Sequence, residues 1–116
     1  MDLKTLKTAV ALLETIQSPD TQIPVFDGRK VIVRSRDAGV IYGDFAGSDG
    51  STITLKNGVQ MWKWFAAQGI SLIDVATYGV KKSECKFSKA SATVTIFNAC
   101  ALIDVTSEAA ASIEAV

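Results

Sequence analysis

Along this chain the spacing of apolar residues changes period several times, and each change marks an element. In residues 2–17, Leu3, Leu6, Val10, Leu13 and Ile16 recur every three or four positions, with Lys4, Lys7 and Glu14 between them. That spacing predicts an amphipathic helix capped by Asp2. Ser18-Pro19-Asp20 ends it, because proline disfavours helical geometry in the residue before it. Pro19, Pro24 and Gly28 make residues 18–28 a linker, so the chain divides into a helix and linker, 1–28, and a main domain, 29–116. The helix packs either on that domain or on another subunit.

From residue 30 the period becomes two. Val31, Val33 and Ser35 alternate with Ile32, Arg34 and Arg36, which predicts a strand over 30–36. Asp37-Ala38-Gly39 reads as a turn, and residues 40–45 as the returning strand. Gly47-Ser48-Asp49-Gly50 signals a hairpin, and 51–56 a third strand with Ile53 and Leu55 on one face. Asn57-Gly58 reads as another tight turn, opening a fourth strand over 59–65. Ser71 and Asp74 have capping-box spacing before a short helix that runs to about Tyr78 and stops at Gly79. Residues 80–89 form a polar, lysine-rich loop, and 92–105 are β-like again. Thr106 or Ser107 caps a final alanine-rich helix from Glu108 to about Ala115. The expected fold is α+β: an antiparallel sheet meander with an N-terminal amphipathic helix, a short middle helix and a C-terminal helix.

Composition narrows the function. The chain has 116 residues, twelve basic and twelve acidic, and nearly half of it is apolar. That is enough for a real core. The balanced charge argues against a coat for long nucleic acid, which carries a basic excess, but allows a small phosphate ligand. No apolar run approaches the ~20 residues of a membrane span. The N-terminus lacks a basic region followed by an apolar stretch, so no signal peptide is expected and the protein is read as soluble and cytoplasmic. Cys85 and Cys100 are expected as reduced, partly buried thiols. The chain has no histidine, which removes the commonest general base and a usual metal ligand. A binding protein without cofactor or metal is therefore expected ahead of an enzyme.

The candidate binding residues each also have a plain structural reading. Trp62 and Trp64 are two apart, so a regular strand points both indoles the same way. They can stack on a purine or anchor a core or interface. Phe87 stands in a polar loop after Lys86, where it stacks on adenine or pins the loop. Asn98 reads a base edge or ribose hydroxyl, or caps a bulge. Arg34 and Arg36 share a strand face and clamp a pyrophosphate, or remain surface charge beside Asp37 and Asp44. Ala38, Gly39 and the following Val40 let main-chain amides approach phosphate, or simply turn the chain. Lys81, Lys82, Lys86 and Lys89 attract an anion or are merely solvated.

Taken in order, Val31-Ile32-Val33-Arg34, Ala38-Gly39-Val40, Gly43, Asn57 with Trp62 and Trp64, and Cys85-Lys86-Phe87 resemble the phage-encoded Thoeris anti-defence protein family, type one, over about residues 30–115. The resemblance implies a signal sponge in the host bacterial cytoplasm. Such proteins trap cyclic ADP-ribose isomers made by Toll/interleukin-receptor-type defence enzymes and do not degrade them. It also implies a homo-oligomer, often a hexamer, with pockets at subunit interfaces and, in some members, separate pockets for cyclic di- or trinucleotides. Two departures stand out. Val59 and Gln60 occupy positions where that family often has two basic residues, and the N-terminal helix is additional. The rival readings are a hydrolase of the cyclic signal and a non-catalytic structural oligomer.

Overall fold

The computed structural model describes residues 28–116; the helix expected over 2–17, and the linker up to residue 27, lie outside them. Six strands and two helices follow: β1 (Lys30–Ser35), β2 (Gly39–Asp49), β3 (Thr52–Lys63), α1 (Leu72–Tyr78), β4 (Lys86–Phe87), β5 (Ser91–Ile96), β6 (Ala99–Asp104) and α2 (Ser107–Glu114). Every strand pairing is antiparallel, in the order β4-β3-β2-β1-β6, with β5 also on β3. The α+β architecture with a sheet meander is thus the observed one.

The sheet curls on itself. β5 and β6 lie at opposite ends of the hydrogen-bonded order, yet only Phe97 and Asn98 separate them in sequence. The Ala99 amide donates to the Ser51 carbonyl at 2.8 Å, joining the start of β6 to the tip of the β2–β3 hairpin. The Ser35 hydroxyl donates to the Phe97 carbonyl at 3.2 Å, closing the same seam from β1. The result is a small, partly closed barrel with inward and outward side chains alternating along each strand.

Two cores follow from that alternation. Val31, Val33, Ile41, Phe45, Ile53, Leu55 and Ile96 fill the barrel. Ile32, Tyr42 and Met61 point outward and are covered by Leu72, Val75, Ala76, Ala110 and Ile113 of the helices. β1 is therefore buried on both faces, which accounts for its unbroken Val31-Ile32-Val33 run. Each such side chain contributes about 1.5–3 kcal/mol by leaving water.

Both helices start where the sequence places them. Ser71 and Asp74 form a reciprocal capping box on α1, and the Thr106 hydroxyl accepts from the Ala109 amide to cap α2. No helix among the described residues is long and apolar enough to cross a membrane.

Four expected details change. Residues 80–89 are not all loop, since Lys86–Phe87 pair with β3 as β4. Asn57-Gly58 does not reverse the chain; β3 runs straight through it. Asn57 takes a left-handed φ of 55° and absorbs an extra residue as a bulge, since three steps on β3, Lys56 to Val59, face two on β2, Asp44 to Tyr42. Gly58 is required there for space: a Cβ would lie 2.5 Å from Val94 Cγ2. The β2–β3 hairpin is tighter than Gly47-Ser48-Asp49-Gly50 suggested, because pairing persists to Asp49 opposite Thr52. Finally, the β-like stretch 92–105 is two strands. Asn98, with φ 56°, is a turn residue between them and not a strand residue.

Candidate functional site

A cleft of about 590 Å³ opens on the outer face of the sheet. β1, β2 and β3 supply its floor through Lys30, Tyr42, Asp44, Asn57 and Val59. The residues after β4, from Phe87 to Ala90, form one wall, and the end of α2, with Ile113 and Glu114, forms the other.

Strand register builds its polar centre. Lys30 and Asp44 are direct partners across β1 and β2, and their side chains meet at 2.5 Å. The Asn57 amide donates to the other oxygen of Asp44 at 2.9 Å, a reach made possible by the β3 bulge. Glu114 Oε2 lies 3.4 Å from Lys30 Nζ and accepts the Tyr42 hydroxyl proton. Burial alone would raise the Asp44 carboxyl; the hydrogen bonds from Lys30 and Asn57 and the Lys30 charge outweigh it and hold the group below the ordinary range. The bond to Asp44, against a smaller opposing effect of burial, holds the Lys30 ammonium above its usual value. Burial, reinforced by Glu114, pushes the Tyr42 phenol strongly up. At neutral pH the Asp44 carboxylate, the Lys30 ammonium and a neutral Tyr42 phenol therefore stand together beside Glu114. Lys89 adds a second cation on the wall, and no ion pair engages it among the described residues. Phe87, Val59 and Ile113 supply apolar surface.

Residues 28–113 match a family model described as a domain of unknown function, DUF6948. The chain belongs to the DUF6948 family. No curated protein and no solved structure matches the chain.

In this DUF6948 domain the candidate residues fall into two groups. Phe87 and Lys89 line the cleft, with Lys86 exposed beside Phe87 on β4. Arg34, Arg36, Ala38, Gly39, Val40 and Asn98 gather elsewhere, around Ser35. Its buried hydroxyl accepts from the Asp37 and Ala38 amides while donating to the Phe97 carbonyl, so it binds the β1–β2 turn to the β5–β6 turn. Arg34 lies opposite Val40, and Gln60 reaches the Ala38 carbonyl at 3.2 Å. The two indoles differ in burial. β3 ends at Lys63 after a register shift, so Trp64 packs half-buried against the helix-side core while Trp62 stays 72% exposed.

Sequence reasoning did not single out Lys30, Tyr42, Asp44 or Glu114. The expected turn over 37–39 sets Arg36 opposite Val40 and so residue 30 opposite 46; the observed register, with Ser35 opposite Gly39, brings Lys30 to Asp44. Glu114 had no local signal, because only the docking of α2 brings it to Tyr42. Cys85 and Cys100 are both free thiols. Among the described residues, no group of three or more metal-binding side chains forms a site.

Proposed function

We propose that this DUF6948 protein captures a small adenine-bearing nucleotide signal of the cyclic ADP-ribose class and holds it intact. The observation that supports the reading is the cleft itself. Its volume lies within the roughly 300–1,000 Å³ of small-ligand sites. One wall offers the Phe87 ring for a base and Lys89 as charge for phosphate, and Asp44 and Glu114 offer carboxylate oxygens for ribose hydroxyls. The resemblance in the β1, β3 and β4 segments points to the same ligand class.

The effect on signalling is mass action: every messenger held is one fewer for the effector. Nanomolar capture corresponds to about −12.3 kcal/mol. Enclosure between copies in a homo-oligomer, as in the resembled family, desolvates more of the ligand and favours such affinity; native mass spectrometry reads the copy number.

Calorimetric titration with cyclic ADP-ribose isomers tests the reading, followed by heat release and mass analysis. Saturable binding and recovery of the intact ring are expected. Absence of binding overturns the ligand class, and recovery of linear ADP-ribose replaces capture with hydrolysis.

A further inference from the structure

The balanced charge of the whole chain hides a local imbalance. A strip of surface runs from the β5–β6 turn, across the β1–β2 turn, to the end of β3 and β4. Three contacts make it continuous. Ser35 ties the Phe97 carbonyl to the turn that carries Arg36, Gln60 ties that turn to β3 two residues before Trp62, and Lys63 is the register partner of Lys86. Three cations stand along it, Arg36, Lys63 and Lys86; no ion pair engages any of them among the described residues, and Lys63 lies 5.8 Å over the Phe65 ring. Asp37 is the acid on the β1–β2 turn.

Two large aromatic side chains stand exposed on the same strip, Phe97 at 66% and Trp62 at 72%. Two large rings left in water beside cations are free to stack on a partner. They do not form one apolar patch: the β1–β2 turn, with Arg36, lies between them. Ring, cation, ring, cation is the arrangement that grips a flexible polyanion with exposed π-faces.

We infer that this strip binds a short stretch of single-stranded nucleic acid, with Trp62 and Phe97 stacking on unpaired bases and the cations meeting phosphates. The site is separate from the cleft and does not depend on the ligand proposed there. A duplex is a poor partner, because its bases are already stacked. An anionic membrane is also disfavoured, since the rings do not merge into an inserting surface.

Fluorescence anisotropy of the full chain with a labelled ten-nucleotide single strand, RNA and DNA in turn, tests this at 50 mM and 200 mM salt. The matching duplex, phosphatidylserine vesicles and a polyglutamate peptide serve as competitors. The expected result is single-strand binding that weakens with salt and that neither vesicles nor peptide displace. Trp62→Ala and Phe97→Ala are each expected to weaken it by roughly five- to a hundredfold. Arg36→Ala is expected to lower the salt slope by about 0.7, the value of one phosphate contact on a single strand. Because all three side chains are exposed, circular dichroism is expected to show folded variants. No binding at 50 mM salt, equal binding to duplex, displacement by vesicles or peptide, or indifference to both aromatic substitutions overturns the inference.

Discussion

Tyr42, on β2, donates its phenolic proton to Glu114, seventy-two positions later in the last turn of α2. This bond fixes the end of the helix over the sheet and so sets one wall of the cleft. Tyr42→Phe keeps the buried ring and removes only the donor. A bond to a charged acceptor is worth about 1.5–3 kcal/mol. Glu114 is half exposed and regains water in the variant, so a loss near the lower end, about 1–1.5 kcal/mol, is expected. The urea midpoint checks it, with an unchanged m-value as the sign that the fold is retained.

The same centre sets the response to pH. Asp44 titrates lower in the folded chain than in the unfolded one, so its contribution is complete above the unfolded carboxylate value of about 4 and disappears as pH falls through the folded one. Lys30 and Tyr42 are shifted upward. Their contributions are complete below about pH 10 and disappear as pH rises through the folded values. Thermal melting is therefore expected to show a plateau across neutral pH with loss on both sides. Asp44→Asn is expected to flatten the acid limb; an acid limb as steep as in the parent chain would remove Asp44 from this role.

Gly58 and Val94 give a test of packing on the barrel side. A Cβ at residue 58 meets the Val94 side chain at 2.5 and 3.1 Å. Gly58→Ala is expected to destabilise the domain by about 1–3 kcal/mol through overpacking. Val94→Ala in the same chain removes the clashing methyl group, so the double variant is expected to lose less than the sum of the single changes. Strict additivity in denaturant unfolding would mean the two residues do not compete for space.

For ligand capture, Phe87→Ala is expected to weaken nucleotide binding by about 1–3 kcal/mol, the value of one base–aromatic stack. Phe87→Trp is expected to restore most of it. Calorimetry on both variants, with melting curves to confirm folding, separates a stacking ring from one that merely supports the wall; if Phe87→Ala binds like the parent chain, the base lies elsewhere.

Helix α1 has only seven residues and depends on its cap. Ser71→Ala removes the acceptor for the Asp74 amide and is expected to cost about 1 kcal/mol. Ser71→Thr is expected to cost less, because its hydroxyl accepts from the same amide and still donates to the Asp74 carboxylate. Amide hydrogen exchange across residues 72–78 reads the fraying directly.

Local rules in the sequence determined much of this protein. Period-two alternation placed β1 and the faces of Ile53 and Leu55, and capping chemistry located α1 and α2, because strands and helix ends are written in residues a few positions apart. The same local reading mistook Asn57-Gly58 for a reversal. A left-handed asparagine serves a bulge as well as a turn, and only the pairing of β3 along its whole length with β2 selects between them. Tertiary structure alone decided the curl that brings Ser51 to Ala99, the meeting of Glu114 with Tyr42 and Lys30, and the parting of Trp62 from Trp64. Each of these joins residues through docking or a register shift, and the free energy that settles them comes from burying two opposite faces of one sheet, which no short window of sequence contains.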